Sequence, residues 1–402
     1  MLGWADTLDV LRLRDLRLLV AAQGVSVVGD RMVSVALAFA VLELGGSAAD
    51  VGLVLAAASA PLVLSVLAGG VVADRVPRRT VMIGADLLRL VTQGAMAVLL
   101  LTGAAEIWTL AALAALTGLG TGFFNPALVG LTPQIVGLEH LQRANAVRAS
   151  AVAGGEILGP LIAGGLVVLA GPGTAIAVDA ATFGVSAACL LALRLPAHEP
   201  RAGSTFLADL RGGWDAFRSR RWVWTFALYF GLGNMMWAAW SALGPIVADE
   251  RLGGAGAWGI VLAGIGVGAL AGSVVATAVD PRRPLIVVAL VEGLFALPLA
   301  FLAGGAPTAL LAVAAFLSGA GMMVGASLYE STMQRNVPDE QLSRVSSYEW
   351  FGSYLFYPVG MAIWGPLAGA IGLSPTLWLS FGILAALIVA LVALPDTRRL
   401  QR

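Results

Sequence analysis

The sequence predicts an all-α integral membrane protein whose twelve transmembrane helices form two parallel six-helix bundles. Three observations support this prediction: an extremely apolar composition, twelve apolar stretches of membrane-spanning length, and an internal repeat. Of the 402 residues, 59% are hydrophobic and only 12% are charged, whereas about 25% of the residues in an ordinary soluble domain are charged. Such a chain is expected in a lipid bilayer, because about 20 apolar helical residues cross its hydrocarbon core.

The same totals exclude several functional classes. The net charge is zero, so the chain lacks the basic surface through which proteins bind nucleic acid. Cys189 is the only cysteine, and His140 and His198 are the only histidines, so neither an internal disulfide nor a Cys/His metal site is expected. The sequence contains no GxxxxGKS or GxxxxGKT loop, so it predicts no ATP hydrolysis and no bound cofactor.

The predicted spans follow the apolar stretches in chain order, and we number them 1 to 12. Spans 1 to 6 are predicted at residues 18–42, 51–73, 81–101, 108–129, 151–170 and 174–193. Spans 7 to 12 are predicted at residues 222–242, 258–279, 285–303, 308–328, 350–371 and 374–393. The predicted domains are an N-terminal bundle, a linker and a C-terminal bundle, at residues 1–195, 196–221 and 222–402. Apolar residues at three- and four-residue spacing in the linker predict an amphipathic helix on the cytoplasmic membrane surface.

Arginine is distributed unevenly among the predicted loops. All 24 basic residues are arginine, and the termini together with the linker and the loops after spans 2, 4, 8 and 10 contain 21 of them. The other loops contain only Arg251, while Arg31 and Arg89 lie inside spans. Because arginine-rich loops stay on the cytoplasmic side, both termini are expected in the cytoplasm, and the protein in the inner or plasma membrane. We call the side with the 21 arginines the arginine-rich end.

An internal repeat relates the two predicted bundles. AGGVVADRVPRRTV from Ala68 recurs as AGSVVATAVDPRRPL from Ala271, and GPLIAG from Gly159 recurs as GPLAGA from Gly365. Chance similarity between Gly/Ala/Val-rich helices is the alternative explanation, but the shared PRR loop favours duplication. Since equivalent loops lie on the same predicted side, each copy holds an even number of spans, which gives parallel halves.

The loop between spans 2 and 3 resembles a known signature. Gly70 to Arg79 reads GVVADRVPRR and is similar to the signature of the major facilitator superfamily between its second and third helices. The resemblance implies the fold of that superfamily and a gate formed by Gly70, Asp74, Arg75, Arg78 and Arg79. Pro77 stands where the signature usually has glycine, and the charges are retained. An alternative role for the arginines is to enforce the positive-inside topology.

Two further patterns refine the resemblance. QGVSVVGD at Gln23, DLLR at Asp86 and NVPDEQLSRV at Asn336 are similar to the enterobactin-exporter-like branch, which includes secretion and drug-efflux proteins. Gly155, Gly159, Pro160 and Gly164 resemble the antiporter signature of the fifth helix. Ala163 replaces one glycine of that signature, and small residues of this kind also serve helix packing alone. The antiporter signature implies exchange of substrate for protons.

Acidic residues within the spans are candidates for proton coupling. Asp30 lies about halfway along span 1, and Glu156 lies within span 5. A charged carboxylate at the membrane centre costs about 3 kcal/mol. Protonating an aspartate at neutral pH costs roughly 4 kcal/mol. Because the two costs are comparable, an aspartate that loses its surrounding water can take up a proton. We predict that Asp30 and Glu156 couple transport to protons. Other acids are assigned structural roles: Asp86 to a local pair with Arg89, and Asp179 and Glu292 to packing or interfaces.

Aromatic and thioether side chains suggest where a bulky, partly apolar substrate binds. The candidate substrate-cavity residues are Asn125, Asn234, Met235, Trp237 and Tyr354. For the Trp and Tyr side chains, a place at the membrane interface or in the core is the alternative.

These observations together predict a secondary active transporter. We expect proton-coupled export of a small amphipathic compound, such as a drug, siderophore or secondary metabolite, by alternating access. The expected partners are a small-molecule substrate, protons and membrane lipids, with no nucleic acid, and the chain is expected to be a monomer. The alternatives are a lipid or lysophospholipid flippase and an uptake permease on the same fold. A sensor or scaffold is disfavoured, because it would predict a long soluble appendage. A membrane-embedded enzyme is disfavoured, because no catalytic cluster recurs across the spans.

Overall fold

The computed structural model describes the backbone of residues 9–195 and 206–399. Every regular element in these ranges is helical, and none of them is a strand. The described chain divides into two compact units: unit 1 contains residues 9–46 and 57–195, and unit 2 contains residues 47–56 and 206–399.

The first spans begin and end a few residues beyond the predicted apolar stretches. After a short 3-10 turn at Asp9–Arg12, span 1 is the helix Arg14–Glu43, span 2 is Ala48–Arg75 and span 3 is Arg78–Thr102. Spans 4, 5 and 6 lie in one continuous helical stretch, Ile107–Leu191. The first residues of span 2 cluster with unit 2, where Gly52 lies against the carbonyl oxygen of Met361.

The stretch Ile107–Leu191 folds back on itself. A straight helix of its 85 residues would be about 130 Å long, far more than the roughly 30 Å core of a bilayer. Gly171 takes a φ of 78°, which favours glycine, and this residue separates span 5 from span 6. Arg148 of span 5 donates a 2.7 Å hydrogen bond to the hydroxyl of Thr132 in span 4, so those two spans lie side by side.

Unit 2 contains the remaining spans. Its helices, in chain order, are Phe206–Arg218 of the linker, Arg221–Val247 (span 7), Ala255–Ala278 (span 8), Pro284–Ala303 (span 9), Thr308–Asn336 (span 10), Asp339–Tyr354 and Tyr357–Ile371 (together span 11), Leu373–Ala393 (span 12) and the short Pro395–Arg399. A π-helical turn, Ala248–Leu252, follows span 7. The N-terminal part of the predicted linker, residues 196–205, lies outside the described residues.

Ten helices in the described part are long and apolar enough to cross a membrane. One of them, Arg143–Leu191, has 49 residues and covers spans 5 and 6. Span 7, Arg221–Val247, is a 27-residue helix that is not among the ten. The predicted all-α membrane architecture of twelve helices is confirmed.

The repeat is visible in how small residues bring helices together within each unit. In unit 1 a Cβ on Gly69 of span 2 would lie 2.6 Å from the carbonyl oxygen of Gly122 in span 4. In unit 2 a Cβ on Gly264 of span 8 would lie 2.8 Å from the carbonyl oxygen of Ala312 in span 10. Without side chains between them, the helix backbones approach closely, as small residues permit in membrane bundles.

Candidate functional site

Span 5 lies directly on span 1 through the glycines of its signature. A Cβ on Gly155 would come within 3.2 Å of the backbone nitrogen of Val28, and one on Gly159 within 2.8 Å of the carbonyl oxygen of Val28. Pro160 and Gly164 are buried in the same span. Because no side chain at Gly155 or Gly159 intervenes, the polar groups of the two spans come together.

This approach brings Glu156 to Arg31. The two side chains form an ion pair between span 5 and span 1. The side chain of Glu156 remains 34% exposed and that of Arg31 47% exposed, so neither is enclosed by the helices packed around it. The neighbouring residue Asp30 points to a different helix, as the rotation of about 100° per residue requires.

Asp30 approaches a buried arginine of span 3. Arg89 has a side chain that is only 2% exposed, and its Nη1 lies 4.0 Å from Oδ1 of Asp30. Its guanidinium carbon lies 4.4 Å from the ring centroid of Phe124 and 4.2 Å from that of Phe183. Two aromatic faces of this kind hold a guanidinium by cation–π attraction, so Arg89 occupies a fixed position between spans 4 and 6.

Arg89 also forms an ion pair with Asp86, one turn earlier in span 3. Asp86 is fully buried, and its other carboxylate oxygen accepts a 2.6 Å hydrogen bond from the hydroxyl of Ser186 in span 6. The structure therefore brings Asp86 and Arg89 into the local pair that the sequence predicts. Both carboxylate oxygens of Asp86 have a partner.

Asp179 of span 6 belongs to the same cluster. Its side chain is fully buried, and Oδ1 lies against Gly29, the residue before Asp30. The residue interacts electrostatically with Asp30 and Arg89. The sequence reasoning assigned Asp179 to packing or an interface and left it out of the coupling residues. An aspartate within an otherwise apolar span was the signal that could have included it.

The arginines of the gate signature bind backbone carbonyls at the arginine-rich end of unit 1. Arg78 donates to the carbonyl of Gly130 in span 4, and Arg79 donates to that of Leu191 at the end of span 6. Leu191 is the last residue of its helix, where a cation satisfies a carbonyl that has no partner within the helix. Arg75 is exposed at the end of span 2. The contacts of Gly70 and Asp74 lie outside the part described at side-chain level.

The predicted substrate-cavity residues fall into both units. Asn125 is exposed in unit 1. The other four lie in unit 2, where Asn234 donates a 2.9 Å hydrogen bond to the carbonyl of Ser353. Trp237 stacks on Phe295 at a centroid distance of 4.2 Å.

Met235 contacts span 11, and Tyr354 belongs to it. The backbone carbonyl of Met235 accepts a 2.7 Å hydrogen bond from the indole of Trp364. Tyr354 lies beside Trp350, with ring centroids 4.7 Å apart, and is 38% exposed. Asn234 and Met235 therefore lie where span 7 packs on span 11, and Tyr354 lies on span 11 itself.

Unit 2 also contains membrane acids. Glu292 of span 9 accepts a 3.1 Å hydrogen bond from the hydroxyl of Tyr229, and Glu349 of span 11 accepts a 2.9 Å hydrogen bond from Ser353. Neither carboxylate forms an ion pair within the described part of the chain. Tyr329, buried near Glu349, packs against Phe226, Phe230 and Trp222, with centroid distances of 5.4, 5.2 and 6.0 Å.

Known proteins resemble the chain over nearly its whole length. The multidrug efflux pump Tap of Mycolicibacterium fortuitum is 30% identical over 396 residues, covering 93% of this chain and 94% of Tap. The enterobactin exporter EntS of Escherichia coli O1:K1 is 28% identical over 419 residues, covering 100% of this chain and 97% of EntS. A crystal structure of a peptide transporter, POT, in complex with sulfate has the same fold, with a TM-score of 0.78, 16% identity and 96% of each chain covered.

The family model of the Major Facilitator Superfamily matches residues 19–355. The match includes the gate signature at Gly70 to Arg79 and the span 5 signature, which carried the resemblance in the sequence. The chain belongs to the major facilitator superfamily of membrane transporters, as its sequence motifs predict.

Proposed function

We propose that this transporter exports small amphipathic compounds in exchange for protons, by alternating access. The names of Tap and EntS, a multidrug efflux pump and an exporter, support export. The observation that carries proton coupling is the ion pair between Arg31 and Glu156, which lies beside Asp30. Charged groups inside a membrane are costly, and they mark proton and substrate pathways.

In the proposed mechanism the ion pair is the switch. Protonation of Glu156 removes its negative charge and releases Arg31, so the attraction between spans 1 and 5 weakens. Deprotonation of Glu156 restores the attraction between the two spans. Because both side chains are partly exposed, protons and substrate can reach the pair, and an amphipathic substrate competes with the proton for this place. Asp30, whose side chain is 38% exposed, is the second proposed proton acceptor.

A proton gradient supplies sufficient energy for this cycle. One proton crossing a potential of 100 mV yields about 2.3 kcal/mol. This free energy corresponds to roughly fifty-fold accumulation of a neutral substrate. One coupled proton is therefore enough for useful export.

The gate signature is proposed to hold the arginine-rich end closed in one state of the cycle. Arg78 and Arg79 tie the beginning of span 3 to spans 4 and 6, which makes this end of unit 1 one rigid block. Asp74 and Arg75 at the end of span 2 are the proposed residues that engage the other half. The substrate is proposed to contact Asn125, Asn234, Met235, Trp237 and Tyr354.

We also propose that both termini lie in the cytoplasm and that the protein resides in the inner or plasma membrane. The arginine distribution supports this orientation. Cys189 is the only cysteine, so a Cys189→Ala background permits labelling of single introduced cysteines. Arg282→Cys should react from the cytoplasmic side and Ala306→Cys from the opposite side; the reverse result would overturn the proposed orientation.

Proton-coupled export is tested in vesicles that contain the purified protein and a pH-sensitive dye. Ethidium and enterobactin are added separately as probes, and proton movement and probe movement are recorded together. We expect the parent protein to move protons opposite to the probe. Asp30→Asn and Glu156→Gln should each abolish proton movement driven by the probe.

Glu43→Gln is the matched control, because it removes an exposed carboxylate at the end of span 1. This variant should keep the coupling of the parent protein. If Asp30→Asn and Glu156→Gln both retain full coupled proton movement, the assignment of these acids is wrong. Probe movement with protons in the same direction would favour uptake over export.

A further inference from the structure

The charges around Asp30 do not cancel. Arg31 is paired with Glu156, and Arg89 is paired with Asp86. These two ion pairs use Arg31 and Arg89, the two arginines within the predicted apolar stretches of unit 1. The two remaining acids, Asp30 and Asp179, are left with no ion pair of their own beyond the 4.0 Å approach of Arg89 to Asp30.

Asp179 is the more deeply enclosed of the two. Its side chain has no solvent exposure, and its Oδ2 has no hydrogen-bond partner among the described residues. An ionised oxygen in this position bears the full cost of losing water, whereas a neutral carboxyl bears only the smaller cost of a polar group. The orphaned oxygen is therefore a place where a proton is expected to bind.

The contact with Gly29 connects Asp179 to Asp30. A Cβ on Gly29 would lie 2.6 Å from the hydroxyl of Thr182 and would overlap Oδ1 of Asp179. Glycine at this position thus lets the carboxyl of span 6 touch the backbone of span 1 next to Asp30. Asp179 and Asp30 also interact electrostatically, and two interacting carboxyl groups retain one proton more readily than two isolated ones do.

We infer that Asp179 is a proton-carrying residue of unit 1 and exchanges its proton with Asp30, which is the more exposed member of the pair. This inference rests on the proposed proton coupling. The O–H bond at Asp179 breaks, a new O–H bond forms on a carboxylate oxygen of Asp30, and the negative charge passes to Asp179. The transfer is direct or passes through one bridging water. The other charged groups around the pair are Arg31, Asp86, Arg89 and Glu156.

Infrared difference spectroscopy tests the inference without any substrate. The full-length protein is measured at neutral pH in lipid nanodiscs, and the carbonyl stretch of protonated carboxyl groups is recorded in H2O and D2O. We expect Asp179→Asn to lose one protonated-carboxyl band. Asp30→Asn should shift that same band, because its proton-sharing partner is gone, whereas Glu292→Gln in unit 2 should leave it in place. A spectrum that is unchanged in Asp179→Asn would overturn the inference.

Transport measurements distinguish a failure of this inference from a failure of the proposed proton-coupled export. In the ethidium vesicles, Asp179→Asn should slow coupled proton movement about 100-fold, as expected for loss of a proton-transfer group, and Asp179→Glu should restore part of it. If the parent protein moves no protons with ethidium or enterobactin, the proposed function fails, and the infrared band still decides whether Asp179 carries a proton. If the parent protein couples and Asp179→Asn couples equally fast, the inference fails alone.

Gly29→Ala provides a second variant, in case Asp179→Asn does not fold. It keeps every ionisable group but pushes the Asp179 carboxyl away from span 1. We expect the Asp179 band to shift and coupled proton movement to slow. Gly24→Ala in the same helix is the control, because a Cβ there would make only an ordinary 3.5 Å contact with Ala151. Equal spectra and equal rates for Gly29→Ala and Gly24→Ala would contradict the proposed exchange.

Discussion

Unit 1 and unit 2 keep acidic side chains in the membrane by different means. In unit 1, Asp86 is paired with Arg89, which lies between two aromatic rings. In unit 2, Glu292 and Glu349 accept hydrogen bonds from the hydroxyls of Tyr229 and Ser353. Asp86 of unit 1 thus has a full opposite charge beside it, whereas Glu292 and Glu349 of unit 2 have neutral donors.

This difference shows that a duplicated architecture does not imply duplicated chemistry. Both units use glycine contacts between equivalent spans, such as Gly69 with Gly122 and Gly264 with Ala312. Yet no counterpart of the Arg89 ion pair forms in the described part of unit 2. The common packing fixes where the helices lie, and a few polar side chains give each unit its own electrostatics.

Replacing Arg89 should have the largest effect. Arg89→Gln leaves Asp86 buried without its opposite charge, and loss of one partner of a buried ion pair costs about 3–5 kcal/mol. Tyr229→Phe, the corresponding change in unit 2, removes one neutral donor and should cost about 1–3 kcal/mol. The free energy of unfolding of both variants is measured by denaturant titration in mixed micelles.

Arg89→Lys is an informative intermediate, because lysine keeps the charge but lacks the planar group that stacks on Phe124 and Phe183. It should fall between the parent protein and Arg89→Gln in the same titration. If Arg89→Gln destabilises no more than Tyr229→Phe, the buried ion pair does not distinguish the two units.

The repeated glycines should give an intermediate effect with different consequences in each unit. In Gly159→Ala the new methyl group meets Arg31, whereas in Gly365→Ala it meets the backbone of Ala48. Overpacking of this kind costs about 1–3 kcal/mol. We expect Gly159→Ala to lose proton coupling in the ethidium vesicles, because it displaces the partner of Glu156, and Gly365→Ala to lose stability while its coupling per transported ethidium is retained.

Gly165→Ala is the control for both, because a Cβ at this exposed position meets nothing within 4 Å. It should leave proton coupling unchanged. It should alter the free energy of unfolding by less than about 1 kcal/mol, which is the usual difference between glycine and alanine within a helix. Uncoupling by Gly365→Ala as complete as that by Gly159→Ala would show that the charge pair of unit 1 has no special part in coupling.

The smallest effect is expected from single hydroxyl groups. Ser186→Ala removes the 2.6 Å hydrogen bond to buried Asp86, and Ser353→Ala removes the 2.9 Å hydrogen bond to Glu349. Each should cost about 0.5–1.5 kcal/mol, the net contribution of a typical hydrogen bond, with the larger value for Ser186, because Asp86 is fully buried. Unfolding titrations of the two variants side by side measure the difference, and a larger loss for Ser353→Ala would reverse the comparison.

Sequence reasoning found most of the acids but not how they are grouped. Asp30 and Glu156 stand out because a charge in an apolar span is costly, and the pair of Asp86 with Arg89 follows from their three-residue spacing in one helix. The pairing of Arg31 with Glu156 joins residues 125 positions apart, so no local pattern reports it. The sequence assigns Asp179 to packing or an interface, whereas the structure places its carboxyl against Gly29, next to Asp30.

The sequence by itself determined the membrane class, the twelve spans and the superfamily, because these depend on composition, on the length of apolar stretches and on contiguous motifs. Only the tertiary structure decided which charges on different helices neutralise each other. That choice depends on distances of a few ångströms between helices far apart in the chain, and these distances are set by contacts such as Gly159 on Arg31 and Gly29 on Asp179. Since Coulomb energy and desolvation change steeply over such distances in an apolar medium, small differences in packing fix which acids remain without a partner.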